Sequence, residues 1–264
     1  MEIKFEKWEG LGNDFIIVDS GVELNKALAI KLCDRHYGIG ADGIFAPTKA
    51  EGVDIAWKFY NADGTSAQMC GNGMRCFAKY VHNKNLVDKV QFGVKTLAGI
   101  VIPEILPNGD VRVDMGEPQL DADLIPVRCN DPKHFMVAGF DATAVGMGNP
   151  HCIIFTKGDA KKQVLEYGKT IENAAIFPEK TNVEFVKVIS PQEISVDVWE
   201  RGCGITLACG TGACAAVVAG VLKKLLNTKV KVNLPGGVLY IEYGGKNVYM
   251  TGSANKVFSG VIEV

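Results

Sequence analysis

Cys70-Gly71-Asn72-Gly73, followed by Met74-Arg75-Cys76-Phe77-Ala78-Lys79-Tyr80-Val81, returns 139 residues later as Cys209-Gly210-Thr211-Gly212, followed by Ala213-Cys214-Ala215-Ala216-Val217-Val218-Ala219-Gly220. Just upstream, Asp54-Ile55-Ala56-Trp57-Lys58-Phe59-Tyr60 aligns at the same offset with Glu193-Ile194-Ser195-Val196-Asp197-Val198-Trp199. The second of these copies alternates polar and apolar residues as a half-buried strand does. Gly12-Asn13-Asp14 also recurs as Gly148-Asn149-Pro150, and Val111–Gly116 recurs as Asn247–Gly252, both at an offset of 136. Glycine-rich helix starts are common, so one Cys-Gly-x-Gly pair would mean little. Four collinear matches point to duplication, each half reading strand, loop, Cys-Gly-x-Gly, helix. The first half then covers residues 1–116. The second covers 117–252, beginning at Glu117-Pro118, and residues 253–264 have no counterpart and are expected to pack back on the first half.

Strands dominate the rest of the pattern. Ile16–Asp19, Val90–Val94, Val183–Val188, Lys229–Leu234 and Val238–Tyr243 read as strands between Gly, Pro and Asn turns. Helices are expected over Glu23–Arg35, after Cys70, near Lys161–Asn173 and after Cys209. Ala213–Leu226 is apolar on nearly every side until Lys223-Lys224, which predicts a helix enclosed by its own sheet.

The 264 residues carry 28 Lys and Arg against 30 Asp and Glu, a formal net charge of −2. There is no basic excess to hold a polyanion, so no nucleic-acid partner is expected. With 47% hydrophobic and 22% charged residues the chain has a globular composition. The opening Met1-Glu2-Ile3-Lys4-Phe5-Glu6 is charged where a signal peptide needs an apolar run, and no stretch reaches the roughly 20 apolar residues of a membrane span. A cytoplasmic location without membrane association is the expectation. Eight cysteines in such a protein argue against a disulfide framework, and no Cys-x-x-Cys is present to suggest zinc. Cys33, Cys76, Cys129, Cys152, Cys203 and Cys214 are read as packing residues. Gly38-Ile39-Gly40-Ala41-Asp42-Gly43 satisfies the dinucleotide glycine pattern but lacks a preceding strand and a following helix, so a nicotinamide or flavin cofactor is rejected.

A cysteine at a helix start sits among unpaired backbone N–H groups at the positive end of the helix dipole, which favours a thiolate and also receives a carboxylate. If the halves face each other, two helix starts and two thiols converge on one small carboxylate compound. One thiolate would remove a proton from a carbon and the opposite thiol would return one to the other face. Donors on the carboxylate would stabilise the enediolate-like charge that develops.

The chain resembles the diaminopimelate epimerase family, whose motifs it matches along its whole length. The matching segments are Gly10-Leu11-Gly12-Asn13-Asp14-Phe15, Asp34-Arg35-His36-Tyr37-Gly38-Ile39-Gly40-Ala41-Asp42-Gly43, Tyr60-Asn61-Ala62-Asp63-Gly64, both cysteine loops, Gly148-Asn149-Pro150-His151, Thr181-Asn182-Val183-Glu184-Phe185 and Glu200-Arg201-Gly202. The resemblance implies an α+β fold of two pseudo-symmetric domains, each a mostly antiparallel or mixed β-sheet wrapped around a central helix. It implies cofactor-independent and metal-free epimerisation of LL- to meso-diaminopimelate, in lysine and peptidoglycan precursor synthesis, by a homodimer. Cys70 and Cys209 become the two acid/base residues. Asn13, Asn61, Asn149, Asn182, Glu200 and Arg201 become substrate contacts, with the backbones of Gly71, Asn72, Gly210 and Thr211 around the reacting carboxylate, and His151 and Glu200 poise the thiols. Arg201 suits the distal carboxylate because its guanidinium can bind bidentately. Gly43 departs from the family's frequent Gln.

Two rival readings remain. Another cofactor-independent amino acid racemase would share the cysteine loops, but Asn61, Asn182, Glu200 and Arg201 favour a substrate with a second zwitterionic centre. A binding protein or an isomerase of the phenazine-biosynthesis type would share the duplicated fold without the cysteine pair. A phosphate ligand in the loops lacks an accompanying Gly-Lys-Ser/Thr. Arg35 and Arg75 are read as partners of acidic neighbours, and His36 and His82 as surface or helix-end residues.

Overall fold

The computed structural model describes residues 2–66 and 69–264; Met1, at the head of the first half, lies outside them. In chain order the first elements are β1 (Glu2–Gly10), β2 (Asn13–Val18), α1 (Lys26–Cys33), β3 (Gly43–Thr48), β4 (Ile55–Asn61), α2 (Gly71–Asn83), β5 (Val94–Thr96), β6 (Gly99–Val101), β7 (Pro103–Ile105) and β8 (Val111–Asp114). There follow β9 (Phe135–Val137), β10 (Phe140–Gly146), β11 (Pro150–Phe155), α3 (Ala160–Glu172), β12 (Asn182–Ser190), β13 (Glu193–Glu200), β14 (Gly204–Ile205) and α4 (Gly210–Leu222). The last are β15 (Lys229–Leu234), β16 (Gly237–Tyr243), β17 (Val248–Gly252) and β18 (Asn255–Glu263). The fold is α+β with mixed sheets, and the chain divides into two compact units: residues up to Asp114 together with Thr251–Val264, and Met115–Met250.

In the first unit the sheet order is β18-β1-β2-β3-β4-β5-β6. β1 and β2 form a hairpin across Leu11 and Gly12, both at positive φ (60° and 82°), the twist that tight hairpins favour. β2 pairs parallel with β3 after α1, and β4 pairs parallel with β5 after α2. The last strand, β18, runs antiparallel to β1, from Glu2 opposite Glu263 to Glu9 opposite Asn255. In the second unit the order is β17-β16-β15-β13-β12-β11-β10-β9, with β14 on β13. Here β11 pairs parallel with β12 after α3, and β13 pairs parallel with β15 after α4. Each unit thus repeats one path: strand, helix, parallel strand, antiparallel strand, Cys-capped helix, parallel strand.

The Cys-capped helices form the cores. In α2, every residue from Gly71 to Ala78 is buried, and the helix packs on β1, β2, β7 and β8. In α4, Gly212 to Gly220 are buried against β10, β11, β12, β13 and β16, the enclosure that its all-round apolar sequence predicts. Under α2 the rings of Phe45 and Phe59 stack at 4.3 Å and those of Phe45 and Trp57 at 4.8 Å. The core of the second unit gathers Phe135, Cys152, Ile154, Phe177 and Phe185.

These contacts explain the second glycine of each cysteine loop. A Cβ on Gly73 would stand 2.4 Å from Phe45 Cζ, and one on Gly212 would stand 2.5 Å from Glu184 Oε1. Both positions are small so that the helix can lie on its own sheet, not only so that the backbone can meet a ligand. Gly73→Ala should therefore destabilise the fold by about 1–3 kcal/mol, the usual cost of overpacking, which a denaturant titration measures.

Other elements differ from the sequence pattern in detail. α1 is shorter than Glu23–Arg35 because Asn25 Oδ1 caps it on Leu28 N (3.0 Å) and Asp34 turns to accept from His36 and Tyr37 N–H (2.7 Å each). α3 begins one residue early, capped by Asp159. The run Val90–Val94 is divided: Gln91 makes only an isolated bridge to Glu104, and a continuous strand begins at Val94, after Gly93 N donates to the Asp54 side chain (2.8 Å). Of the six cysteines read as packing residues, 33, 76, 152 and 214 are buried, whereas Cys203 is exposed and Cys129 half-exposed. Trp8 and Trp57 are core residues, and Trp199 is tied by its indole N–H to Glu172 Oε2 (2.7 Å).

Candidate active site

Cys70 and Cys209 occupy the same local position in their units. Each is the N-cap of a 13-residue helix, with extended backbone (φ −142° and −116°) and a sulfur that accepts from the N–H of the second glycine, Gly73 or Gly212, at 3.4 Å. Ser, Thr, Asn and Asp are the preferred side chains at this position, because it offers orphan N–H groups to an acceptor. A thiol there faces the donors that would stabilise its anion or a ligand's carboxylate.

Around Cys70 the first unit gathers Asn13 and Asn72. Cys70 Sγ is 3.8 Å from Asn13 Oδ1, which also accepts from Asn72 Nδ2 at 3.3 Å. Asn72 Oδ1 in turn accepts from Arg75 (3.1 Å), a fully buried arginine whose Nε donates to the Ser253 carbonyl at 3.1 Å. Arg75 thus braces the first turn of α2 through Asn72. On the other side Asn13 Nδ2 donates to Asp42 (2.6 Å). Asp42 belongs to an ionic group in which Arg35 grips both oxygens of Asp14 (3.0 and 2.7 Å) and Lys7 adds a third bond to Asp14 (2.8 Å). Burial alone would raise the Asp14 carboxyl, but the bonds from Arg35 and Lys7 outweigh it and hold Asp14 well below the usual carboxylate range.

Asn61 ends β4 opposite Gly43 and donates to Thr65 Oγ1 (3.0 Å). A side chain at 43 would collide with the Phe59 ring, 2.6 Å from an ideal Cβ. Glycine at this position is therefore required by its neighbour.

Around Cys209 the second unit gathers Thr211, His151, Asn149 and Glu184. Thr211 Oγ1 lies 3.4 Å from Cys209 Sγ. His151, fully buried on β11, is 2.7 Å from Glu184 Oε1 through Nδ1 and 2.9 Å from Asn149 Oδ1 through Nε2. One ligand atom each of His151, Glu184 and Cys209 lie within 4.8 Å of one another, close enough to share a metal ion. At 2.7 Å the His151 and Glu184 atoms are already joined by a hydrogen bond. Sequence reasoning gave Glu184 no role. The signal was present, since a carboxylate inside the buried stretch Asn182–Val186 requires a buried partner.

Burial pushes the Cys209 thiol well above its ordinary value, and the carboxyls of Glu200 and Glu184 push the same way. The bonds from Thr211 and Gly212 only partly oppose them. At Cys209 desolvation therefore outweighs the helix start. Asn182 uses both ends of its amide on backbone, donating to the Pro150 carbonyl (2.8 Å) and accepting from Arg201 N–H (2.9 Å). It fixes the turn that carries Arg201, whose exposed side chain donates to the Glu179 carbonyl (3.1 Å). Glu200 accepts from Thr206 Oγ1.

A family model for diaminopimelate epimerase matches residues 5–120 and 143–257. The chain belongs to the diaminopimelate epimerase family. It is 47% identical to the diaminopimelate epimerase of Pelotomaculum thermopropionicum, over 97% of both chains, and 48% identical to that of Carboxydothermus hydrogenoformans, over 98% of both. The fold also resembles a phenazine biosynthesis protein of the PhzF family from Bacillus anthracis (TM-score 0.72, 14% identity, 100% of both chains). It likewise resembles a hydroxyproline epimerase from Agrobacterium vitis (TM-score 0.70, 12% identity, 99% of this chain and 92% of that one). At those identities the likeness is one of fold. Family membership rests on the relatives that share nearly half their residues with this chain across its length.

Proposed function

We propose that the chain epimerises LL-diaminopimelate to meso-diaminopimelate with Cys70 and Cys209 as the two acid/base groups at one α-carbon. The observation that carries this reading is the repeated cap, with a sulfur held by the second glycine's N–H at the start of each core helix. One of the two sulfurs removes the α-proton and the other donates the new one to the opposite face. An α-carbanion of an amino acid is unstable unless the carboxylate takes up its charge. The N–H groups of Gly71, Asn72, Gly210 and Thr211 are the donors assigned to that carboxylate, and their bonds strengthen as it becomes enediolate-like.

The second amino acid centre does not react and has to be recognised. Arg201 is assigned its carboxylate, and Asn13, Asn61, Asn149 and Glu200 present donors and acceptors to the rest of the zwitterion. Asn182 serves by holding Arg201. Following the α-proton by NMR in deuterated water tests the substrate: it should be lost from diaminopimelate and retained in proline, hydroxyproline and histidine. Exchange of proline in preference would assign the chain to another racemase class.

Two thiols and the carboxylate-binding helix ends leave no step for an added group. Activity should survive chelators and carbonyl-trapping reagents undiminished, and its loss on either treatment would contradict a cofactor-independent reaction. No helix among the described residues is long and apolar enough to cross a membrane, and a cytoplasmic place in lysine and cell-wall precursor synthesis is proposed. Val257, Phe258 and Val261 stand exposed on the edge strand β18. Exposed apolar edges invite pairing, which favours a homodimer and predicts twice the monomer mass in sedimentation.

A further inference from the structure

Glu184 is fully buried on β12, with Oε1 2.7 Å from His151 Nδ1 and Oε2 without a hydrogen-bond partner among the described residues. The proton inventory of this group is constrained. Asn149 Oδ1 is an acceptor, so His151 Nε2, 2.9 Å away, carries a hydrogen. Nδ1 faces a carboxyl oxygen, and two acceptors do not approach to 2.7 Å without a proton between them. That proton rests either on His151, giving imidazolium beside carboxylate, or on Glu184, giving imidazole beside carboxylic acid. An ionised carboxylate with one buried oxygen left bare is costly, whereas a neutral acid tolerates it.

The charged and titratable groups around Glu184 point the same way. Glu200 of β13 adds negative potential, while burial pushes up the thiols of Cys209, at the N-cap of α4, and of Cys152 on β11. Glu172 of α3 is turned to Trp199 and Gly202. Burial raises the Glu184 carboxyl, and its bond to His151 does not reverse the effect. The first turn of α4 clamps the carboxyl from above, since a Cβ at Gly212 would lie 2.5 Å from Oε1.

We propose that Glu184, as a neutral acid, is a positioning residue that acts through His151 on Asn149. Glu184 donates to Nδ1, which fixes the neutral Nε2–H tautomer. Nε2–H donates to Asn149 Oδ1, which leaves the Asn149 Nδ2 group facing outward as a donor. The relay Glu184, His151, Asn149 therefore ends in an amide whose orientation is set from the core, presenting N–H to an anionic group of the substrate. This deepens the assignment of Asn149 as a substrate contact and rests on that reading.

Two isosteric variants and one spectrum test it. Gln in Glu184→Gln can still donate N–H to Nδ1, so kcat and KM for diaminopimelate should stay within about threefold of the parent. Leu in Glu184→Leu fills the space but cannot donate; the amide of Asn149 is freed, and KM should rise by about tenfold or more while kcat changes less, the loss of one charge-assisted bond. A packing role would spare Glu184→Leu, and a role for the bare charge would damage Glu184→Gln as much as Glu184→Leu; either pattern overturns the proposal. The ¹⁵N spectrum of histidine-labelled parent enzyme without substrate does not depend on the reaction or on any variant's folding. It should show His151 as the neutral Nε2–H tautomer, and a protonated Nδ1 would overturn the proposal. Failure of the two-cysteine reading would appear separately, as turnover in a cysteine variant with this spectrum intact.

Discussion

Cys70→Ser and Cys209→Ser should each lower the rate of diaminopimelate epimerisation by on the order of 10³-fold or more, within the range that a positioned general acid or base supplies. Serine's hydroxyl is a far weaker acid than a thiol, so its oxygen can neither stand as the anion that takes the α-proton nor give one up readily. Loss of either partner stops the inversion, because the reaction needs a base on one face and an acid on the other. A general collapse of the protein would mimic this result, but the local geometry argues against collapse. Each sulfur accepts from the second glycine's N–H at 3.4 Å, and serine is among the preferred residues for that cap. Both variants should therefore melt within a few degrees of the parent. Calorimetry beside a coupled assay makes the comparison, and full activity in either variant would remove that cysteine from the chemistry.

Arg201→Lys should lower kcat/KM for diaminopimelate by about 10- to 100-fold, since a bidentate guanidinium grip on the distal carboxylate becomes a single ammonium contact. The turn that carries the residue is held independently of its side chain. Arg201 N–H donates to Asn182 Oδ1 (2.9 Å), and the next N–H, of Gly202 at φ 77°, donates to Glu172 Oε1 (2.8 Å). The variant should keep its fold and lose affinity along with discrimination against amino acids that lack the second carboxylate. Steady-state kinetics on diaminopimelate and on a monocarboxylate-ended analogue measure both effects. Parent-like values on diaminopimelate would reassign Arg201.

The repeated cysteine loops carry their own caps and helices, so α2 and α4 were readable from local sequence, as was β15 from its alternation. What sequence could not supply lies in contacts between distant residues. The Glu184–His151 bond joins neighbouring strands whose register sets His151 opposite Asn182, and nothing local in Val183-Glu184-Phe185 names that partner. Gly73 and Gly212 suggest close approach of a ligand, but their neighbours are Phe45 and Glu184. Gly43 looks like a missing polar contact until the ring of Phe59 is found in its place. A helix start can likewise be recognised from sequence, whereas the burial that pushes the Cys209 thiol up against it cannot.

The fate of the α-proton in the first fraction of a turnover tests the two-cysteine mechanism most directly. LL-diaminopimelate is added to enzyme in deuterated water, the reaction is quenched early, and the two stereoisomers are separated and examined for deuterium. The abstracted proton stays on the first cysteine, and the opposite cysteine, already exchanged with solvent, donates to the other face. The meso product should therefore carry one deuterium at the inverted carbon while recovered LL substrate remains unlabelled. Protium retained in the meso product, or deuterium appearing equally in substrate and product from the start, would contradict it.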